Sequence, residues 1–255
     1  MNRPPGADAP YRTWLRCYWP RPGARRRLVI FPHGGGSASF YRPFAKRMPP
    51  WVEPVIVQYP GREDRLEDPH IDDMDRLVAR VSDALLPAFD REVLFFGHSM
   101  GASVAHEVAA RLETRHGVGP SLLAVSGRPA PRFHKPGDKH LDDAALWYEL
   151  SRLGATPAAL LDNAQVRKVV LPTLRADYRL VERYRPRLDT RVSCTVAACL
   201  GDKDPEVTEP EARAWAEVSG GAFAFRLFDG DHFYLRGQEE ALASWLLTTA
   251  DRENP

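Results

Sequence analysis

Residues 93–101, VLFFGHSMG, hold the strongest structural signal in the chain. The apolar run VLFF is typical of a buried strand, the next five residues match GxSxG, and a helical pattern follows. Strand, sharp turn and helix are the context in which this motif exposes a serine hydroxyl at a strained turn. The two glycines of the motif let the strand and the helix pack closely around that turn. We therefore interpret Ser99 as a nucleophile rather than as part of an ordinary glycine-flanked turn.

Further apolar runs lie on both sides of this motif, at residues 28–31, 55–59, 122–126, 195–200 and 225–228. They are near-continuous rather than alternating, which is typical of strands covered on both faces in a parallel sheet. Helical patterns separate them, at residues 73–89, 102–115, 210–219 and 239–249. This alternation predicts an α/β fold with a mostly parallel, doubly wound sheet. We also expect an antiparallel edge strand in WLRCYW, residues 14–19, and a loose arm over the first dozen residues.

One region, at about residues 128–187, breaks the alternation because it contains no convincing strand pattern. Helical patterns cover residues 142–153 and 163–184, with LGATP between them, and Pro172 should kink or split the second. We expect a single domain over residues 1–255 in which this region forms a helical lid over the carboxyl edge of the sheet. That edge is where ligands bind in open α/β sheets.

A serine nucleophile needs a general base, and in an α/β-hydrolase the chain order is serine, acid, histidine. We predict that the base is His232, in FDGDHFYL just after the last predicted strand; its alternative role is a buried turn histidine. His134 and His140 lie at the start of the insertion, which is the wrong place for the base. The acid should follow the preceding strand, in GDKDPEV, where Asp204 is our candidate and Asp202 the alternative. Its role is to accept a hydrogen bond from the imidazole and to fix its tautomer.

The tetrahedral intermediate formed on such a serine needs backbone N–H donors. One should be the amide of Met100, the residue after the nucleophile. The other should come from FPHGGG, residues 31–36, which is similar to the HGGG-type loop of esterases and lipases, and we favour the amide of Gly34. A phosphate-binding loop is the competing interpretation, but the sequence lacks the downstream GK[ST] of a P-loop.

The composition excludes several other classes of protein. The chain has 255 residues, 44% of them hydrophobic, and a formal net charge of +1, which predicts a globular protein without an electrostatic footprint for nucleic acid or an anionic membrane. We find no pattern of a signal peptide or of a membrane span. Three scattered cysteines are too few for a disulfide framework and fit a reducing compartment. We therefore expect a cytoplasmic protein. We also expect no metal site, since His106 and Glu107 begin like HExxH but Ala110 replaces the second histidine.

Several blocks of the sequence together resemble one known family. They are FPHGGGSASFYRPFA (31–45), QYPGREDRLEDP (58–69), LGATPAALL (153–161) and LPTLRADYRLVERY (171–184), together with GHSMG, GDKDPEV and FDGDHFYL. On these blocks the chain resembles the type II thioesterases that accompany modular polyketide synthases and nonribosomal peptide synthetases. GHSMG is shared by many hydrolases, whereas QYPGRE and LRADY are far more specific to this family. The family commonly has Ala where this chain has Gly34, a departure that keeps the backbone donor.

The resemblance implies a discrete α/β-hydrolase that acts in trans on acyl thioesters held on the phosphopantetheine arm of acyl or peptidyl carrier proteins. The usual task in this family is to remove aberrant or stalled acyl groups, and some relatives release the chain of a fatty acid synthase. The resemblance also implies a mobile lid. We expect no cofactor, since the phosphopantetheine belongs to the partner carrier protein. A general carboxylesterase or lipase with the same triad, and a non-catalytic binding member of the fold, are the alternatives.

A carrier protein is acidic in most systems, so an arginine-rich rim around the lid would favour docking. Candidates in the helical pattern at the end of the insertion are Arg175, Arg179, Arg183 and Arg185. Solvated surface charges are the alternative interpretation of these arginines. We expect a monomer, with neither nucleic acid nor a membrane as a partner.

Overall fold

The computed structural model describes residues 9–154 and 161–252. Its strands are β1 Leu15–Arg16, β2 Arg26–Phe31, β3 Val52–Val57, β4 Glu92–His98, β5 Leu122–Ser126, β6 Thr195–Gly201 and β7 Phe223–Phe228. Within the described ranges these strands form one sheet in the order β1-β3-β2-β4-β5-β6-β7. All neighbouring pairs are parallel except β1 and β3. The predicted fold, a mostly parallel α/β sheet of the α/β-hydrolase type, is confirmed.

Helices follow the strands and cover both faces of the sheet. They are α1 Ala9–Trp14, α2 Arg42–Lys46, α3 Met74–Leu85, α4 Met100–His116, α5 Asp143–Arg152, α6 Ala164–Arg183, α7 Glu209–Arg213 and α8 Glu239–Asp251. Alternate residues of β2 enter two separate cores: Val29 and Phe31 pack with α3 and α4, whereas Leu28 and Ile30 pack with α2 and α8. A strand buried on both faces must be apolar at successive positions, which explains the continuous apolar runs. Across the described residues, no helix is both long and apolar enough to cross a lipid bilayer.

The N-terminal region differs in part from the expected loose arm. Residues 1–8 lie outside the described residues, but α1 begins at Ala9, so the expectation is wrong for the end of that arm. Trp14 anchors this helix, because its ring is buried in the core and lies 4.3 Å from the guanidinium carbon of Arg65. The predicted edge strand is present as Leu15–Arg16 only, antiparallel to β3.

Two predicted helices are shorter than expected and end in 3-10 turns. The pattern over residues 73–89 becomes α3 followed by a 3-10 turn at Leu86–Asp90, which has proline in its first turn. Proline has no N–H to continue the α-helical hydrogen bonds, which accounts for the earlier end. The pattern over residues 210–219 becomes α7 followed by a 3-10 turn at Ala214–Val218.

The helices and 3-10 turns described between β5 and β6 are joined by loops, and no strand lies among them. This part of the chain contains α5, α6 and short 3-10 turns, while residues 155–160, which include part of the LGATP segment, lie outside the described residues. Of the expectation that Pro172 would kink or split the second helix, the split is wrong, because α6 is continuous over Ala164–Arg183. Pro172 faces solvent, whereas Leu171, Thr173 and Leu174 beside it are buried. Packing on both sides of the proline therefore holds the helix together despite the missing hydrogen bond.

Candidate active site

The candidate nucleophile lies on the sharp turn between β4 and α4. Ser99 has φ 53° and ψ −120°, a left-handed conformation that is strained for a residue with a side chain. Its amide donates to the carbonyl of Ser126 at 2.8 Å, which ties the turn to the end of β5. A Cβ on Gly97 would overlap the carbonyl of Gly101, and a Cβ on Gly101 would overlap the carbonyl of Phe31. Both motif glycines are therefore required by close packing of backbone around the serine.

The candidate base and acid come together from the loops that follow β7 and β6. Nδ1 of His232 lies 2.8 Å from Oδ2 of Asp204, and both side chains are almost completely buried. The other carboxylate oxygen, Oδ1, accepts from the amide of Glu206 at 2.8 Å. With Nδ1–H donating to the carboxylate, Nε2 of the ring is left as an acceptor, which is the tautomer that a general base requires.

The alternative acid, Asp202, has a different role in the structure. Its Oδ1 accepts from the amide of Gly230 at 2.9 Å, and its side chain is 44% exposed. It therefore holds the loop that carries His232 but does not contact the imidazole. His134 and His140, rejected from sequence, are bound elsewhere: His134 to Arg128 and His140 to Glu182.

Ser99 and His232 face the same cavity, between the carboxyl edge of the sheet and the helical insertion. Its other lining residues are His33, Gly34, Met100, Arg128, Leu153, Asp177, Tyr178, Val181, Glu206 and Phe233. Among the described residues no hydrogen bond joins the Ser99 hydroxyl to His232. Catalytic hydrogen bonds are often long in unliganded enzymes and tighten when substrate binds.

The glycine loop after β2 lies beside the first turn of α4. A Cβ on Gly34 would stand 3.9 Å from Cβ of Met100, so the two residues whose amides we predicted as donors are neighbours. The next amide, that of Gly35, already donates to Oδ2 of Asp177 at 2.7 Å. Among the described residues the amide of Gly34 has no protein acceptor. Gly34 is therefore the position of the loop whose donor is available to a ligand in the cavity.

Two buried histidines beside the site are kept neutral. Burial lowers the pKa of His33 to about 3 and lowers the pKa of His98 far below its ordinary value, in each case with a further contribution from the nearby His232. Nδ1 of His33 lies 2.7 Å from the hydroxyl of Tyr41, and Nδ1 of His98 lies 2.9 Å from that of Ser126. Both rings pack against residues of the site, His98 against His232 and His33 against Phe233. The sequence showed both histidines within motifs, but nothing in it indicated that His33 pairs with Tyr41, eight residues on, or that His98 pairs with Ser126, 28 residues on.

The four arginines proposed for docking are not equivalent. Arg175 forms an ion pair with Asp143, and Arg179 pairs with Asp72 at 3.0 Å. Arg185 donates to the backbone carbonyls of Glu182 and Tyr184. Carboxylates of the chain itself therefore neutralise part of this positive surface.

No cluster of three or more metal-ligating side chains occurs among residues 9–154 and 161–252. A serine on a strained strand-to-helix turn, with a hydrogen-bonded histidine and aspartate in the loops after later strands of a mostly parallel sheet, is the arrangement of the α/β-hydrolase fold.

Comparison with known proteins identifies the family within that class. Residues 26–249 match the family model described as Thioesterase domain. The chain is 41% identical over 237 residues to the "Probable cadicidin biosynthesis thioesterase" of Streptomyces griseus, covering 92% of this chain but 65% of that protein. It is 41% identical over 239 residues to "Thioesterase PikA5" of Streptomyces venezuelae, covering 93% of this chain and 84% of that protein.

A solved structure is similar over the same extent. The type II thioesterase BorB from the borrelidin biosynthetic cluster superimposes with a TM-score of 0.85 at 38% identity, covering 93% of this chain and 97% of that one. The chain belongs to the thioesterase family, and its predicted resemblance to type II thioesterases is confirmed. It is thus a hydrolase that acts on thioesters.

Proposed function

We propose that Ser99, His232 and Asp204 form a catalytic triad that hydrolyses acyl groups from the phosphopantetheine arm of acyl or peptidyl carrier proteins. The observation that carries this proposal is the buried hydrogen bond from His232 to Asp204 at 2.8 Å, beside the cavity that Ser99 also lines. The similarity to type II thioesterases of biosynthetic pathways supports the choice of substrate. The task is then to clear aberrant or stalled acyl groups in polyketide or nonribosomal peptide synthesis.

Acylation of the serine is the first half of the reaction. The Ser99 hydroxyl oxygen attacks the thioester carbonyl carbon while Nε2 of His232 takes the hydroxyl proton. The amides of Gly34 and Met100 donate to the oxyanion, which lowers the barrier through fixed dipoles in a water-poor site. The C–S bond then breaks, and the departing sulfur takes the proton from the imidazolium. A thiol with an ordinary pKa of about 8.5 is a fair leaving group, so this proton transfer adds little to the rate.

Hydrolysis of the acyl-enzyme is the second half. Water attacks the acyl carbonyl carbon as Nε2 of His232 takes its proton, and the oxyanion forms at the same two amides. The ester bond to Ser99 breaks, and the proton on His232 passes to the serine oxygen. The products are the free acid and the carrier with a free thiol. Asp204 stays ionised throughout, because its role is to hold the imidazole and stabilise the imidazolium.

The helical insertion supplies one wall of the cavity. Tyr178 and Val181 of α6 and Leu153 after α5 line it opposite the loops that hold the triad. In this proposal the region at about residues 128–187 acts as the lid beneath which the acyl group and its arm bind. Docking of the acidic carrier involves the exposed arginines at the end of α6, chiefly Arg183, since Arg175 and Arg179 are already paired. The proposal includes a monomer in the cytoplasm.

The test is hydrolysis of one short acyl group presented in three ways to wild type and to Ser99→Ala. The acyl group is carried by a carrier protein, by free pantetheine, or by a simple oxygen ester. We expect the carrier-bound thioester to give the highest kcat/KM and Ser99→Ala to abolish turnover of all three.

The other outcomes separate the alternatives. Preference for the oxygen ester, with no gain from the carrier, would make the protein a general carboxylesterase or lipase. Binding of the acyl-carrier without turnover would make it a non-catalytic member of the fold. Full activity of Ser99→Ala would contradict the assignment of the nucleophile.

A further inference from the structure

A buried ion pair joins two segments that the proposed mechanism does not use. Arg62, in the loop after β3, donates from its two terminal nitrogens to both carboxylate oxygens of Asp177 on α6, at 2.8 and 2.9 Å. The two side chains are only 8% and 4% exposed. These residues belong to QYPGRE and LRADY, the two blocks that are most specific to the family resemblance. Bidentate geometry fixes direction as well as distance.

Both partners of this pair also hold the glycine loop. Oδ2 of Asp177 accepts from the amide of Gly35 at 2.7 Å, and a terminal nitrogen of Arg62 donates to the carbonyl of Gly36 at 2.9 Å. A charged acceptor makes the first of these bonds stronger than a bond between neutral groups. The pair therefore holds the backbone of the loop by one hydrogen bond at Gly35 and another at Gly36.

The loop needs these hydrogen bonds because both central residues of its turn are glycines. The amide of Gly36 donates to the carbonyl of His33 at 2.9 Å, which closes a turn with Gly34 and Gly35 at its centre. Gly35 has φ +74°, the value that the third residue of a type II turn requires. Glycine is permissive on both sides of the central peptide, so that peptide is free to rotate unless something holds it. Asp177 accepts from the N–H of that peptide.

We infer that Asp177 and Arg62 are positioning residues for the oxyanion hole, and that through them the position of α6 sets the orientation of the Gly34 amide. This inference rests on the proposed function, in which Gly34 donates to the oxyanion. The Gly34 N–H belongs to the preceding peptide, whose carbonyl, that of His33, accepts from the amide of Gly36. Loss of the pair loosens the central peptide and the Gly36–His33 hydrogen bond that closes the turn, and so frees the peptide that carries the Gly34 N–H. The resulting defect lies in stabilisation of the tetrahedral intermediate, whereas binding of the substrate in its ground state is retained.

The test replaces the pair by apolar side chains, in the double variant Arg62→Met and Asp177→Leu. Removing both charges avoids a single buried charge without a partner, and such apolar replacements are often neutral or stabilising. Three quantities are measured: kcat on a propionyl-pantetheine thioester, affinity for a trifluoromethyl ketone analogue that adds to the serine, and affinity for a thioether analogue that lacks the carbonyl. We expect kcat and ketone affinity each to fall by about 10- to 100-fold. This is no more than the fall of about 10²- to 10³-fold in kcat that follows when a whole oxyanion-hole donor is removed. Affinity for the thioether should stay close to that of wild type.

The chain offers a matched control at the opposite end of the sheet. Arg27 and Glu53 form a buried pair at 2.8 Å, and Glu53 also accepts from a backbone amide, that of Arg21, at 2.9 Å. The control double variant, Arg27→Met and Glu53→Leu, removes the same groups far from the glycine loop. It should keep the wild-type kcat and both affinities.

Three other results would contradict the positioning role, and one would contradict the proposed function. The positioning role would be overturned if the Arg62/Asp177 variant kept the wild-type kcat and ketone affinity. It would also be overturned if the Arg27/Glu53 control variant lost as much kcat and ketone affinity as the Arg62/Asp177 variant. Equal losses of thioether and ketone affinity would overturn it too, since the pair would then shape the cavity as a whole. Should the double variant not fold, Asp177→Ala, which removes the acceptor of the Gly35 amide, is measured with the same three probes, and the same difference between ketone and thioether affinity is expected. Turnover by Ser99→Ala in the same series would show that the proposed function itself is wrong, which is a separate outcome.

Discussion

Replacement of Asp204 by Asn tests the proposed triad most directly. Oδ1 of Asp204 accepts from the amide of Glu206, and Oδ2 faces Nδ1 of His232 at 2.8 Å. An asparagine in this place keeps its oxygen towards the Glu206 amide, so its NH2 group points at the imidazole. The ring must then accept at Nδ1 and carry its proton on Nε2, which prevents it from taking a proton from Ser99.

The size of the expected loss follows from charge as well as from the tautomer. Two unit charges about 4 Å apart attract by about 4 kcal/mol at an effective dielectric constant near 20. Loss of that attraction between the carboxylate and the imidazolium is worth about 10³-fold in rate. With the wrong tautomer added, we expect kcat to fall by about 10³- to 10⁴-fold.

The assay follows release of the thiol from a propionyl-pantetheine thioester, with thermal unfolding as a check that the variants fold. Asp202→Asn is the matched control, because it makes the same chemical change in the same loop. Asp202 accepts from the amide of Gly230 through Oδ1, and an asparagine oxygen can accept that bond equally well. Asp202→Asn should therefore stay close to wild type. A folded Asp204→Asn variant that loses no more activity than Asp202→Asn would refute the assignment of the acid.

Two further predictions concern packing and pH. Gly101→Ala should yield little folded protein, because its Cβ would overlap the carbonyl of Phe31. Gly34→Ala should fold and keep its activity, because the new Cβ would meet its nearest neighbours at 3.7 and 3.9 Å. Soluble yield and kcat are measured for both variants, and a folded but inactive Gly34→Ala would contradict the role given to its backbone. Burial lowers the pKa of His106 to about 4, below the 6.5 of an exposed histidine, so the unfolded chain binds more protons and stability falls as the pH drops through that interval. His106→Met should remove the part of this loss in stability that His106 causes, a few kcal/mol at pH 4, with little change at pH 8. Urea unfolding across this pH range measures the free energy of unfolding of both proteins. If it fell equally with pH in wild type and variant, the explanation would be contradicted.

Much of the fold could be predicted because its signals are local. The apolar run over residues 122–126 has the same bounds as β5, and the run at residues 93–96 lies inside β4. A strand that is buried on both faces must be apolar along its length, so the pattern is visible without any knowledge of its neighbours. The GxSxG motif around Ser99 is likewise visible within a few residues, although only Gly97 is required by a contact inside the turn, whereas Gly101 is required by the carbonyl of Phe31 at the end of β2.

The candidate base and acid could be predicted because the topology limits where they can lie. In a parallel sheet the carboxyl ends of the strands meet at one edge, so loops that are distant in sequence become neighbours. That rule led to His232 and to the segment that contains both Asp202 and Asp204. The contacts that separate the two aspartates, one with His232 and one with Gly230, depend on how the loops fold against each other.

Other features needed the tertiary structure. Pro172 argued for a break in the second helix of the insertion, but buried residues on either side of it keep α6 continuous. The N-terminal arm looked featureless, but burial of Trp14 supports α1. In both cases packing against distant elements outweighs the local preference of the chain.

By itself the sequence determined the α/β class, the order of strands and helices along the chain, and the serine turn, since these depend on patterns within short segments. Only the tertiary structure decided which aspartate faces the histidine and which acidic side chain holds the glycine loop. Arg62 and Asp177 are 115 residues apart, and although each lies in a block specific to the family resemblance, nothing in either block shows that the two side chains pair. A buried ion pair is defined by the desolvation and the geometry that the fold imposes on its two partners, and neither exists until the chain is folded.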